Sequence, residues 1–245
     1  MPQFPVEMQR AFEQTLIAGE HAQGDILTLE QLRHRLHAGR VDLVTVMAAE
    51  VRKGLVKRRG VDRFEVCGLA KPDVSSVFVH AEEQGLKPTS EVRAVIQEPA
   101  SETVAAMLKV TVDAPVYRLE RTRRVGGAAL ANQINYMPFE ICPGLEEDDV
   151  THASFKKLLE EKYLVFLAVA EESVDLVPAS TQDREVLDLE PGSSVLEVDR
   201  LARSQTGWPV VWATLHIDPQ HYEKVAALWP RAAELLQSRG RTDQI

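Results

Sequence analysis

The chain has 245 residues, 44% hydrophobic and 27% charged, an ordinary balance for one large globular domain or two small ones. Its two cysteines, Cys67 and Cys142, suggest neither a disulfide framework nor zinc-type spacing, no apolar run approaches the ~20 residues of a membrane span, and no secretory leader precedes the body. The expected setting is therefore a reducing cytoplasm, with no membrane, metal or cofactor. A net charge of −9 argues against nucleic acid as a partner of the whole surface, but the charge is unevenly spread. Residues 1–70 hold ten Lys/Arg against nine Asp/Glu, and Arg52, Lys53, Lys57, Arg58, Arg59 and Arg63 fall within twelve positions, a cluster able to neutralise a few phosphates.

In chain order, Met8, Phe12 and Leu16 recur every four residues and predict a helix over 6–17. Thr28-Leu29-Glu30-Gln31 has the form of a capping box, in which the threonine accepts from the third helical amide and the glutamine reciprocates. The helix it opens turns Leu29, Leu32 and Leu36 inward. A third helix is predicted over 41–53, with Leu43, Met47 and Val51 on one stripe, and after Gly54 the stretch "LVKRRGVDRFEV" has the pattern of two short strands around a turn. Three helices followed by a basic β-ribbon is the order of a winged helix-turn-helix, whose third helix enters the major groove. "CGLAKPDVSS" has the residues of a linker, and "VFVHAEEQGLKP" predicts a short helix stopped by Gly85 and Pro88.

The remainder is built twice. "PASETVAAMLKVTVDAPVYRLER" (99–121) returns 79 positions later as "PASTQDREVLDLEPGSSVLEVDR" (178–200). Each copy predicts a strand, a short helix containing Leu108 or Leu187, a turn and a long hairpin, with Gly126-Gly127 and Thr206-Gly207 at the hairpin turns. By the period-two rule Tyr117, Leu119, Arg121 and Arg123 share one strand face, and Leu196, Val198 and Arg200 share another, so each arginine continues an apolar stripe. A buried guanidinium needs a carboxylate, a phosphate or a ligand anion, because an unpaired buried charge costs several kcal/mol. Arg121 with Arg123 can clamp an anion from two sides. The competing reading is an internal bridge to Glu171, Glu172 or Asp199, favoured for Arg200. Gln133 and Asn135 face together on the return strand and could supply neutral donors and acceptors. Thr214 and His216 share a face of "VVWATLHID", where a lone histidine is more often packed than a ligand. Ser154 falls in the first turn of the helix in "THASFKKLLEEKY", near free amides suited to an anion or to simple capping.

The stretch "AGEHAQGDILTLEQLRHRLHAGRVDLVTVMAAEVRKGLVKRR" resembles the DNA-binding domain of GntR-type transcription regulators, aligning without a gap from Thr28 to Gly54. "VYRLERTRRVGGAALANQINYMP", "HASFKKLLEEKYLVFLAVAEE" and "VLEVDRLARSQTGWPVVWAT" resemble the UTRA effector domain of GntR regulators of the HutC type. The resemblance implies an α+β chain. A winged helix-turn-helix over 1–67 and a linker over 68–76 precede a UTRA effector-binding and dimerisation domain over 77–245, a chorismate-lyase-like antiparallel sheet with helices. The function implied is a ligand-responsive repressor, a homodimer on double-stranded operator DNA, released by a small anionic metabolite; it is not an enzyme. Thr28, Arg40, Thr45, Lys57, Arg58 and Arg59 are its DNA-binding candidates. Arg121 and Arg123 match the family's Arg-x-Arg for an anionic effector and Ser76 and Ser154 its hydroxyl positions, with Gln133, Asn135, Thr214 and His216 completing the candidate effector site.

This chain departs from the family pattern where Asp42, Leu43 and Val44 replace a threonine, valine and arginine, where Val61 and Arg63 replace wing glycines, and where Asp62 takes a basic position. Gln133 and Val211 stand where sugar-phosphate-binding members carry glutamate, which points to a less hydroxylated anion. Two alternatives stay open: a sensor with impaired or lost DNA binding, and a chorismate-lyase-like enzyme.

Overall fold

The structure, a computed structural model, describes residues 4–69, 88–151 and 155–219. The first group of elements is α1 (Val6–Ile17), β1 (Ile26–Thr28), α2 (Leu29–Leu36), α3 (Arg40–Lys53), β2 (Val56–Arg58) and β3 (Arg63–Val66). α1 turns Phe12 and Leu16 into the core, as its four-residue period requires. The expected capping box is present: Thr28 Oγ1 accepts from the Gln31 amide at 3.2 Å, and Gln31 Oε1 accepts from the Thr28 amide at 2.8 Å. α2 stops at His37, which is left-handed at φ 49°. α3 stops at Gly54, where a φ of +87° suits glycine and almost nothing else. The three strands form an antiparallel sheet in the order β1-β3-β2, with Phe64 opposite both Leu27 and Arg58. Phe12, Leu27, Leu32, Leu43, Met47 and Phe64 close the core between helices and sheet, and two residues from much later in the chain, Leu164 and Phe166, are buried in the same cluster.

The second group is β4 (Pro88–Pro99), α4 (Glu102–Leu108), β5 (Pro115–Val125), β6 (Ala128–Pro138), short 3-10 turns at Phe139–Ile141 and Leu145–Glu147, α5 (Phe155–Glu161), β7 (Leu167–Pro178), α6 (Thr181–Leu187), β8 (Ser194–Ser204) and β9 (Pro209–Ile217). All six strands form one antiparallel sheet in the order β4-β5-β6-β9-β8-β7, so the two copies meet at β6 and β9 and mirror each other outward. The repetition reaches individual bonds. Ser101 caps α4 by accepting from the Val104 amide, and Ser180 caps α6 by accepting from the Asp183 amide. The Ala100 amide bonds the Ala114 carbonyl at 2.8 Å, and the Ala179 amide bonds that of Ser193 at 2.9 Å. The ladders slip at matching places, between Arg123 and Arg124 and between Ala202 and Arg203.

One sheet face packs on Ile141, Leu145, Leu159 and Val165. The other is covered by α4, through Val104 and Leu108 against Val116 and Trp212, and by α6, through Leu187 against Val195. α6 is also pinned by a polar contact. The buried carboxylate of Asp183 accepts from Asn132 Nδ2 at 2.8 Å and meets His216 Nδ1 at 2.9 Å, while His216 Nε2 lies 3.0 Å from Glu197. A ring with a carboxylate at each nitrogen is satisfied only as imidazolium, and the hydrogen bond to Asp183 leads in raising its pKa above 6.5. Burial opposes charge on Asp183, but the bonds from His216, Ser180 and Asn132 outweigh it and hold the carboxyl well below the usual carboxylate range.

The two groups of elements meet at the end of α3. Gln205, in the β8–β9 turn, donates from Nε2 to the Gly54 carbonyl at 2.7 Å and the Gly68 carbonyl at 3.0 Å, and Thr206 Oγ1 donates to the Val51 carbonyl at 2.9 Å. Arg52 donates to Glu140 Oε1 at 2.6 Å and to the Leu108 carbonyl at 2.9 Å, with its guanidinium 5.1 Å from the Trp208 ring centroid. Beneath this junction Gln9 Nε2 donates to the fully buried Glu50 at 2.9 Å, and Lys53 pairs with Glu13. Burial pushes the Glu50 carboxyl up to about 8, against the pull of Lys53.

Two outcomes follow from the junction. A Cβ on Gly54 would stand 2.9 Å from Gln205 Cγ and 3.2 Å from Ser204 Cβ, in addition to its left-handed backbone. Gly54→Ala is therefore expected to lower stability by about 1–3 kcal/mol, measured by urea unfolding of the full chain. Because the folded state holds a proton on Glu50 that the unfolded chain releases at its ordinary 4.5, stability falls as pH rises from 4.5 through about 8. Glu50→Gln should remove that fall. His216, whose contribution is complete below 6.5 and lost as pH rises through its raised folded value, leaves a residual slope at the alkaline end. A urea midpoint that tracks pH identically in both proteins would contradict this account of Glu50.

Candidate functional site

β5 carries the site because its alternation does not stop where its apolar residues do. Tyr117 and Leu119 are fully buried on the core face, and the same period brings Arg121 and Arg123 onto it, 3% and 9% exposed. Across the ladder Gln133 stands opposite Arg121 and Asn135 opposite Leu119. A relay of neutral groups runs along the wall: Arg121 Nη2 donates to Gln133 Oε1 at 3.4 Å, Gln133 Nε2 to Asn135 Oδ1 at 3.1 Å, and Asn135 Nδ2 to the Leu119 carbonyl at 3.5 Å. The Phe155 ring, at the start of α5, lies with its centroid 5.1 Å from the Arg121 guanidinium carbon. Arg123 Nη1 donates to Ser90 Oγ at 2.6 Å, from the position opposite it on β4.

The charge on this wall is not balanced in the way buried charge usually is. Arg121 Nε and Nη1 are buried and have no hydrogen-bond partner among the described residues, and the one side chain bonded to its guanidinium is a neutral carboxamide. Burial, and after it the neighbouring Arg123, lowers the Arg121 pKa well below the ordinary guanidinium value. The second copy makes the contrast. Arg200 occupies the equivalent place, but its cross-strand neighbour is Glu172, 3.4 Å away, whereas the neighbour of Arg121 is Val92. The internal bridge expected for Arg200 is therefore formed, and in the first copy a valine takes the place of the acid. What such a wall can do chemically is accept an anion; among the described residues it holds no nucleophile paired with a base.

The other expected residues fall in three places. Gln133 and Asn135 line this wall. Thr214 and His216 lie on the opposite sheet face, where Thr214 Oγ1 donates to Asp199 at 2.9 Å and His216 is held by Asp183 and Glu197, so the fold does not bring them to Arg121. Their separation is one of register: Leu215, between them, is the β9 residue opposite Gln133. Ser76 and Ser154 lie outside the described residues. At the amino-terminal unit Thr28 caps α2, Arg40 Nη2 donates to Asp62 at 2.8 Å, and Thr45 Oγ1 donates to the Val41 carbonyl at 3.1 Å. Arg58 bonds the carbonyls of Gly60 and Val61, Arg59 pairs with Glu65, and Lys57 is exposed, so the β2–β3 turn and the start of α3 form one continuous edge.

Ser90, bonded to Arg123, and Phe155, against Arg121, complete the arginine wall, and sequence pattern does not single them out. Ser90 is identified only by the β4–β5 register, and Phe155 has the period of a core residue. Asp183 is a further residue not singled out from the sequence, although Ser180-x-x-Asp183 has a capping-box spacing, and both of its reciprocal bonds are present.

A family model described as the UTRA domain matches residues 83–223. The HTH-type transcriptional regulator YurK of Bacillus subtilis is 22% identical over 187 residues, covering 75% of this chain and 77% of YurK. Among solved structures, YydK of Bacillus subtilis superposes with a TM-score of 0.54 at 19% identity, over 89% of this chain and 94% of its own. The effector domain of PhnF from Mycobacterium smegmatis superposes with a TM-score of 0.56 at 20% identity, over 61% and 93%. Those likenesses show a shared fold, and the family match covers the sheet, both copies and the arginine wall. The chain belongs to the UTRA-domain family, whose members matched here include HTH-type transcriptional regulators.

Proposed function

We propose that the chain is a ligand-responsive, DNA-binding transcription regulator of the HutC type. In this reading residues 1–67 are a winged helix-turn-helix, and the chain acts as a cytoplasmic homodimer that represses until a small anionic metabolite occupies the wall around Arg121. The observation that carries it is the Arg121 guanidinium, buried on an apolar face with two nitrogens that find no partner among the described residues and a valine opposite where the second copy has a glutamate. An anion there would restore the missing partners, Arg123 would add a second positive charge, and Gln133 would add a carboxamide able to donate or accept. The absence of both family glutamates at 133 and 211 favours an organic acid with few hydroxyls over an amino-sugar phosphate. Coupling to DNA would run through the junction. The β8–β9 turn bonds the last turn of α3, so a shift of the sheet would move that helix; coupling free energies of this kind are commonly ~1–3 kcal/mol.

A second reading, a sensor whose α3 no longer reads DNA, draws on one observation: Arg40, at the head of that helix, is tied to Asp62 rather than free to meet a phosphate.

The test is a titration of the full chain on DNA from upstream of its own gene. Binding should prefer that sequence over unrelated DNA, with log affinity falling by about 0.9 per phosphate neutralised for each unit of log salt. A panel of small organic acids and inorganic phosphate should contain a class that releases the complex. Arg121→Gln should weaken release at least ~10-fold while leaving DNA affinity and oligomeric mass unchanged. Release that is indifferent to Arg121→Gln, or a variant that unfolds, would return Arg121 to a structural role. Loss of sequence preference in the natural chain would favour the silent sensor.

A further inference from the structure

The exposed side of α3 is made of methyl groups. Val41 is 79% exposed and Val44 47%, and with Thr45 and the exposed Ala48 they stand at i, i+3, i+4 and i+7, one stripe of a helix whose opposite side buries Leu43, Val46 and Met47. No guanidinium, ammonium or carboxamide stands in that stripe. The Thr45 hydroxyl is occupied by the Val41 carbonyl of its own helix. Asp42 lies off the stripe with its carboxylate folded back to the helix start, where a Cβ on Gly39 would stand 3.1 Å from Oδ2. The hydrogen bond from Arg40 to Asp62 places the β2–β3 turn at the head of the stripe, and this turn with its flanking strands carries Lys57, Arg58, Arg59 and Arg63, all exposed, with Arg59 paired to Glu65. The surface is thus an apolar ridge flanked by cations.

A protein partner suits this surface poorly. Specific protein interfaces bury on the order of 800 Å² per side and are anchored by large aromatic side chains, and neither the stripe, with two valines, a threonine and an alanine, nor residues 57–63 beside it carry one. Duplex DNA suits it well. The cations meet phosphates, and the one apolar feature of base edges in the major groove is the thymine 5-methyl group.

We propose that α3 reads DNA through thymine 5-methyl groups, with Val41, Val44 and Ala48 packing against them where an arginine or asparagine would otherwise hydrogen-bond a purine. Specificity would then rest on methyls and on phosphate-set register, with half-sites carrying thymine at the positions facing the stripe. This rests on the DNA-binding reading above.

The experiment selects preferred duplexes for the full chain from a random library, then replaces each thymine of the enriched half-site singly by deoxyuridine, which removes the methyl and leaves the pairing edge intact. One or two positions should lose about three- to five-fold in affinity per methyl. Val44→Ala, at an exposed position that the fold tolerates, should abolish the deoxyuridine penalty at one of them while keeping the salt slope. A duplex that binds tightly with no deoxyuridine penalty anywhere overturns the methyl readout and leaves the regulator reading standing. Failure to enrich any duplex overturns both. A Val41→Ser/Val44→Ser variant that keeps DNA affinity and deoxyuridine sensitivity but loses self-association would assign the stripe to a second copy and overturn the proposal equally.

Discussion

The pairing of β6 with β9 is the contact on which the rest depends. Each copy alone is a three-stranded sheet with one short helix, enough to hide one side of a hairpin and little more. Joined along Ala131 to Tyr136 and Trp212 to Ile217, they make a continuous six-stranded surface wide enough to bury an arginine on its second strand. That joint also determines which side chains share a wall. It places Leu215 beside Gln133 on the core face and sends His216 and Thr214 to the helix-covered face.

Duplication supplies the scaffold, and divergence between the copies supplies the chemistry. The capping serines, the turn bonds and the ladder slips have been kept in both halves, since each serves the backbone alone. The difference lies in what faces the arginine. Glu172 compensates Arg200 within the protein, whereas the cross-strand neighbour of Arg121 is Val92, which brings no charge. A buried pair is a weak source of stability and a buried lone charge a costly one, so under the proposed function an anion would stabilise the first copy in a way it would not stabilise the second.

Much of this was legible in the residues. Period-two alternation put Arg121 and Arg123 on the apolar face, the four-residue period placed α1, and the Thr28 capping box located the start of α2. Face assignment within a strand is local and survives without a structure. The relation between strands is not local: that Thr214 and His216 are turned away from Arg121 depends on the β6–β9 register and on slips that no single strand records. β1 escaped for a related reason, since three residues carry no period and become a strand only when β3 lies beside them. The contact of Gln205 with Gly54 joins positions 151 residues apart, with no periodic signal at either end.

Leu164 and Phe166, buried with Phe12 and Leu27, bear on how the chain acquires its structure. The amino-terminal helices are synthesised first, yet two side chains that fill their interior arrive only after most of the first copy has been made. Until then that interior is open on one side, a cavity of the kind that destabilises a core by several kcal/mol. Maturation of the three-helix unit is thereby tied to completion of the strand that follows Phe166. A ribosome-bound or truncated chain ending before residue 164 would present an unfinished apolar surface, a target for chaperones, until the segment leading into β7 seals it.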